Sequence, residues 1–432
     1  METTQANGLE RSLNLTIPLN QLQEEVAKRL KHLSKTAKMQ GFRPGKVPLS
    51  LLEKQYGGQL HQEALGDLAQ NQFFLAIKEN KFKVAGYPSF DANPDHKEES
   101  TIGLVAKFEV FPEIAVGNLK EVTINRPVTE VTDADIDRTL NILRKQRVSY
   151  TIVDRVAQNG DQVVIDFKGF IGDEPFQGGE ASNYQLVLGQ NQFLPDFEAN
   201  VIGMKQGESK SFELTFPEDY QASNLAGKTV RFDVTIHEVK EPVLPPIDEE
   251  FARSVGIQDG DVSKLRAEMK KNLEREVKNR IKSQVKDQVM QALLDKTPIE
   301  VPQFSLLQEV QRLRQNTLAD LESRTGKKQS LDLPDSLFID QAKRRVSLGL
   351  ILGEIINSQS ITSKPEQVRA LIEEMASAYE QPEEIIRWYY QQKDRLQEAE
   401  TVVLEDNVVE WVCAQVNTVD APTSFEDLVG KQ

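Results

Sequence analysis

Val262, Leu265, Met269, Leu273, Val277, Ile281, Val285, Val289 and Leu293 follow one another at intervals of three or four residues. That interval places side chains on one face of an α-helix and on no single face of a strand. The stretch is therefore committed to a rod of ~45 Å. The 432 residues exceed what one ordinary core can bury, so three or four domains are expected. Beyond the rod the chain reads as nearly all helix, with segments around 303–324, 335–358, 364–377, 382–396 and 400–417. Residues 416–432 have no clear period.

Upstream the pattern changes twice. Between residues 150 and 239, GDQVVIDFKGF, SNYQLVLG, SKSFELTF and KTVRFDVTIHEV are short runs rich in β-branched and aromatic residues, bounded by Gly, Asp or Pro. The proline-rich EPVLPPID (241–248) closes this region and marks a domain boundary. Nearer the N-terminus, Leu13, Leu15 and Ile17 alternate as in a strand. Leu22, Val26, Leu30, Leu33 and Ala37 then form the apolar stripe of a helix that Gly41 is expected to stop. A second helix from Pro48 to about Lys78 and a closing strand in TIGLVAKFEVFP (101–112) complete a small α+β unit. Residues 113–149 read as a connector: an extended piece at 122–128, then a helix capped by Thr132 with Ile136, Leu140 and Leu143 as its stripe. The division expected is 1–112, 113–149 packing with the C-terminal region, 150–242 and 243–432.

Charge is unevenly placed. The chain carries −15 overall, yet Lys28, Arg29, Lys31, Lys35, Lys38, Arg43 and Lys46 fall in a stretch without an acid, leaving −22 for the remainder. A cationic spot on an anionic protein is drawn to a polyanion while the rest is repelled. The stretch ends in GFRPGKVP (41–48), whose glycines allow tight turns and whose prolines fix φ, so Phe42 and Arg43 are presented outward. Cys413 is the single cysteine, which excludes an intrachain disulfide and favours a reducing compartment; in an apolar helical stretch it reads as a buried structural thiol. The first twenty residues lack a basic region followed by an apolar core, and the most apolar run, LGLILGEII (348–356), is too short and polar to span a bilayer. No membrane partner and a cytoplasmic location are expected.

Acid–base, metal and nucleotide chemistry find little support. His32, His61, His96 and His237 are scattered, none at metal-ligand spacing with a cysteine or another histidine. Gly227-Lys228-Thr229 resembles the end of a phosphate loop, but the required first glycine falls at Ala222. QDGDV (258–262) lacks the ligand series of a calcium loop and reads as a helix cap. No cofactor is expected. Instead, residues 167–232 hold ten of the chain's 29 aromatics, which either fill an unusually aromatic core or line a cleft.

The order of motifs in that region is similar to the FK506-binding-protein family of peptidyl-prolyl isomerases. IDFKG (165–169), PFQGG (175–179), YQLVLGQNQFLPDFEANVIGM (184–204), FPEDY (216–220) and VRFDVTIHEV (230–239) follow the family's sequence over about ninety residues. The resemblance implies an antiparallel sheet wrapped around a short helix beginning near Leu194. It implies a proline-binding slot at Phe167, Phe176, Tyr184, Phe193, Leu194, Phe197, Tyr220 and Phe232. Such a slot needs no titrating group, because rotation about an X-Pro bond is slowed by the double-bond character of the amide and not by a proton transfer. Two positions depart from the family: Gln177 where members of high activity commonly carry aspartate, and Asp196 where many carry glycine. Slow isomerisation is therefore expected.

With this module between a basic N-terminal unit and a long helical region, nearly the whole chain resembles the trigger factor family of ribosome-associated bacterial chaperones. GFRPGKVP fits that family's docking signature G-F-R-x-G-x-x-P at Gly41, Phe42, Arg43, Gly45 and Pro48. Pro44 stands where some members have lysine, so Lys46 supplies the second charge. The resemblance implies as partners the ribosome, through a large-subunit protein and rRNA at the exit site, and nascent unfolded polypeptides. It also implies a weak homodimer when off the ribosome. The C-terminal helices, with the 113–149 connector, would cradle unfolded chains. The other reading is a free prolyl isomerase of FK506-binding type whose basic N-terminal region binds nucleic acid.

Overall fold

The computed structural model describes residues 3–5, 8–37, 42, 47–172, 174–220, 222, 225–326, 332–377, 379 and 381–430. They form two compact units, one of residues 1–126 and 282–421, the other of 127–281 and 422–432. The fold is multi-domain α+β: an N-terminal α+β portion, an antiparallel β portion with a short helix, and a helical C-terminal portion.

In the first unit β1 (Thr3–Gln5), β2 (Glu10–Pro18), β3 (Ser89–Ala92) and β4 (Thr101–Glu109) make an antiparallel sheet in the order β1-β2-β4-β3. Leu13, Leu15 and Ile17 do alternate along β2. They pack with Leu104, Ala106 and Phe108 of β4 against Ala69, Phe73 and Ala76 of helix α2 (Leu49–Asn80). The two short edge strands pair with β2 and β4, and Phe90 of β3 packs partly buried on this core.

Helix α1 (Leu19–Thr36) buries Leu22 and Leu30 and leaves Lys28, Lys31 and Lys35 exposed. It ends at Thr36, before the expected stop at Gly41. Ala37 is already extended and buried with Val47 and Leu52, and seating it there takes the chain out of the helix. Gly41 lies outside the described residues. The basic stretch is also less free than its composition states. Asp67 of α2 comes within 2.5 Å of the Arg29 guanidinium, and Glu25 within 3.3 Å.

Strand β5 (Thr123–Val128) and helix α3 (Asp133–Gln146) follow as expected. The Asp135 carboxylate accepts from the Thr132 N–H at 2.9 Å and from its hydroxyl at 2.7 Å, closing the helix start. In the second unit β6 (Ser149–Ile152), β7 (Gln162–Ile171), β8 (Glu174–Val187), helix α4 (Pro195–Val201), β9 (Ser209–Thr215) and β10 (Thr229–Val243) come next. β10 is central, paired with β7 along one edge and with β9 and then β6 along the other; β8 lies outside β7. Pro242 is paired with Tyr150 in this sheet, so the expected boundary begins inside a strand.

The remaining elements are α5 (Glu249–Ser254), α6 (Val262–Lys296), α7 (Gln303–Thr325), α8 (Ile339–Gln359), α9 (Pro365–Ala376), α10 (Pro382–Tyr390), α11 (Lys393–Cys413), β11 (Asn417–Pro422) and α12 (Phe425–Val429). The apolar stripe of α6 serves two cores. Leu265, Leu273 and Val277 pack with Ile136, Leu140, Phe251, Phe425 and Leu428 in the second unit. Val289, Met290 and Leu293 pack with Leu119, Ile124, Ile351, Ile355 and Val408 in the first.

The break expected between 396 and 400 falls earlier, after Tyr390. The Arg395 guanidinium stacks 3.7 Å from the Trp388 ring and donates to its carbonyl at 3.1 Å, which fixes the corner there. Residues 335–337 form a single 3-10 turn and not the start of α8. The tail without period holds β11, paired with β5, and α12. Cys413 is unpaired and half-buried beside the first unit's helical core, and burial pushes its thiol pKa up. No helix among the described residues is long and apolar enough to cross a membrane.

Phe73 is 1% exposed and meets Phe108 edge-on at 5.1 Å. Phe73→Ala is expected to cost roughly 3–5 kcal/mol in this core, read as lost hydrogen-exchange protection in β2 and β4.

Candidate functional site

β7 sends Val163, Ile165 and Phe167 inward in alternation, and β10 answers with Phe232, Val234 and Ile236. Helix α4 closes over them. Its sequence begins at Pro195, a residue already set for the first turn, and Phe197 and Val201 point down into the sheet. The rings meet edge-on around Phe167: Tyr184 at 5.9 Å, Phe193 at 5.3 Å and Phe197 at 6.0 Å, with Phe232 tilted at 6.2 Å. Beside this cluster opens a cleft of about 600 Å³. All eight residues expected at the proline slot line it: Phe167, Phe176, Tyr184, Phe193, Leu194, Phe197, Tyr220 and Phe232. No carboxylate, imidazole, thiol or amine stands among the described residues of its wall.

Sequence reasoning missed several members of that wall. Phe216 packs on Tyr220 with ring centres 4.6 Å apart and meets Phe176 at 6.4 Å. Its signal was present in FPEDY, of which only the tyrosine was carried into the slot. Leu214 and Leu225 also line the cleft, and nothing in their spacing marks them. Gly169 and Gly179 matter through what they lack. A Cβ on Gly169 would run into the Phe176 ring, and one on Gly179 would lie 2.6 Å from it. The glycine of IDFKG and the second glycine of PFQGG are thus the seat of that phenylalanine.

A second omission is Glu198, 4% exposed on α4. Its carboxylate accepts the N–H of Gly189 at 2.7 Å and that of Phe193 at 3.2 Å. One buried anion thereby ties down the loop that presents Phe193 and Leu194, and the two donors offset the cost of burying it. Asp196, the departure from the family pattern on the same helix, is exposed in its first turn.

Of the expected docking residues, Phe42 is described and is 39% exposed, and Pro48 is exposed just ahead of α2. Gly41, Arg43, Gly45 and Lys46 lie outside the described residues. A separate, mostly apolar cleft of about 680 Å³ at α9, α10 and the turn between them is lined by Met375, Tyr379, Glu384, Ile385, Trp388 and Tyr389. α10 buries none of its residues, and its pattern gave no warning that its rings would be left outside.

Three family models match the chain. Residues 1–143 match "Bacterial trigger factor protein (TF)", 261–414 match its C-terminus, and 153–237 match "FKBP-type peptidyl-prolyl cis-trans isomerase". Among curated relatives, a protein named Trigger factor from Dechloromonas aromatica is 49% identical over 100% of this chain and 99% of its own. Those from Laribacter hongkongensis and Chromobacterium violaceum are 47% and 46% identical, covering 98% and 99% of this chain and 98% of each relative.

Glu198→Gln keeps one acceptor oxygen for two N–H donors. Leaving the other donor unmatched is expected to cost about 1–3 kcal/mol, seen as a lower Tm for residues 150–242, with a weakened isomerase KM as Phe193 loosens.

Proposed function

The chain belongs to the trigger factor family, ribosome-associated chaperones with an FK506-binding-type peptidyl-prolyl isomerase domain, and from that premise we propose how its residues divide the work. Residues 150–242 isomerise X-Pro bonds in the aromatic cleft, with Phe167, Phe176, Tyr184, Phe193, Leu194, Phe197, Tyr220 and Phe232 as the groups that contact substrate. The observation that carries this is the composition of the wall: eight apolar or aromatic residues converge on one opening, and no carboxylate, imidazole, thiol or amine joins them among the described residues. A planar amide is stabilised by a charge-separated resonance form, and its rotation barrier is about 18–20 kcal/mol. A dry apolar slot removes the water that favours the planar form, so the twisted state is bound better than the ground state.

Residues 1–112 dock on the ribosome through Phe42, Arg43 and Lys46, framed by Gly41, Gly45 and Pro48. The exposed Lys28, Lys31 and Lys35 face the rRNA and Phe42 meets an apolar patch on a large-subunit protein. Residues 243–432, with 113–149, hold unfolded nascent chains. The apolar side chains left exposed on the helices, Leu307, Leu337, Met375, Tyr379 and Trp388 among them, support that role. The chaperone works in the cytoplasm and pairs weakly with itself when off the ribosome. It needs no cofactor.

Two measurements test this. Phe42→Ala/Arg43→Ala is expected to leave the chain in the supernatant when ribosomes are pelleted at physiological salt; undiminished pelleting would refute docking through this loop. The isomerase kcat/KM is expected to stay flat between about pH 6 and pH 8, since the described residues of the wall include no carboxylate, imidazole, thiol or amine. A bell-shaped profile would sink the reading that the slot works by desolvation alone.

A further inference from the structure

Asp166 lies on β7 between Ile165 and Phe167, which both point into the core. Both neighbouring strands lose register close to it: β8 opposite Asp166 itself, and β10 one pair further on, between Ile165 and Val164, while Thr235 still pairs with Asp166. On β8, Tyr184 pairs with Ile165 but Ala181 pairs with Phe167, so Ser182 and Asn183 together face Asp166. On β10, Ile236 pairs with Ile165 and Glu238 with Val164, which leaves His237 as an extra residue. A single carboxylate spans the two bulges. Its Oδ1 accepts the Asn183 N–H at 2.7 Å, and its Oδ2 accepts from His237 Nε2 at 2.8 Å. A carboxylate of this kind only accepts, so the ring nitrogen facing it carries the proton. Both contacts hold the Asp166 carboxyl below its ordinary pKa, the Asn183 N–H more than His237.

The β8 bulge has a consequence for the cleft. Residues three apart on a regular strand point to opposite faces. Ala181 packs on the core, and Tyr184, three residues on, also faces inward to Phe167 and Phe193. Only the extra residue makes both orientations compatible. Asn183 supplies it by taking a left-handed φ of 52°, a conformation that asparagine tolerates at modest cost but does not favour by itself.

We propose that Asp166 is a positioning residue for the isomerase: by holding the Asn183 bulge from outside the sheet, with His237 bracing its other oxygen, it turns Tyr184 into the wall of the cleft. This rests on the cleft being the isomerase site. Asp166 never touches substrate; it acts through the backbone of β8.

The test is a mutant cycle in the full chain, with a proline-containing peptide as substrate. Asp166→Ala is expected to lower kcat/KM about fivefold, the cost of losing one charge-assisted contact to a group that must be aimed. Asp166→Asn, whose amide oxygen still accepts from Asn183, should lose less. In a Tyr184→Ala background either substitution should add nothing, because the ring it positions is gone. That last readout separates positioning from a general loss of stability, which would be additive. An unchanged rate in Asp166→Ala, or an equal loss with and without Tyr184, would overturn the proposal. Should Asp166→Ala fail to fold, Asp166→Asn in the two backgrounds decides it. A Tyr184→Ala chain as active as the parent would overturn the cleft reading itself, and this inference with it.

Discussion

The packing of Phe167 against Tyr184, Phe193, Phe197 and Phe232 is the contact on which the isomerase portion depends. Phe167, Phe197 and Phe232 are buried core and cleft wall at once, Phe193 packs partly buried on that core, and Tyr184 is exposed at the cleft. Each aromatic pair contributes about 0.5–1.5 kcal/mol beyond its buried area, so the same contacts that stabilise the sheet against α4 also fix the shape of the slot. Phe167, Phe197 and Phe232 cannot shift without disturbing the core they belong to. That rigidity suits the proposed mechanism, in which a shaped, largely apolar wall acts and no proton moves.

Aiming those rings falls to residues outside the eight. Glu198, buried under the loop, fixes Phe193 through its N–H. Gly169 and Gly179 leave room for Phe176. Asp166, on the other face of the sheet, holds the irregularity that allows Tyr184 to turn inward. Each acts by backbone geometry, and each is therefore invisible to any argument about which residue types bind proline.

In the first unit the governing fact is closure over long separations. Leu119 and Ile124 share a core with Leu293, Ile351 and Val408. Ion pairs from Lys282 to Asp406 at 2.5 Å and from Lys286 to Glu405 at 2.6 Å bind α6 to α11. With these stripes spent on each other, what remains outside on the helices is a scatter of single apolar residues and the Trp388 patch. Weak, unselective binding of unfolded segments needs a surface of that kind and no more. The charge of the basic stretch is redistributed by the same folding: Arg29 is taken up by Asp67, and the cations left exposed on α1 are Lys28, Lys31 and Lys35.

Periodicity and composition by themselves determined a good deal. The 3–4 spacing fixed α6, the alternation at Leu13, Leu15 and Ile17 fixed β2, and the order of aromatic motifs, through its likeness to the FK506-binding family, marked the seven rings and one leucine that the cleft brings together. These are local signals, written in residues a few positions apart, and a resemblance of motif order adds long range only where motifs exist. Tertiary structure alone decided the rest. β11 and α12 lie in a tail without period because β11 forms on β5, almost three hundred residues earlier, and α12 on α3 and α6. The stripe of α6 reads as uniform, yet Leu273 and Leu293 serve different cores, since a helix carries no mark of which partner each turn will meet. Phe216 joined the wall, Arg29 lost its free charge and Asp166 gained its bulges for the same reason. Which side chains become neighbours across strands is set by register and packing, and register is a property of the folded sheet.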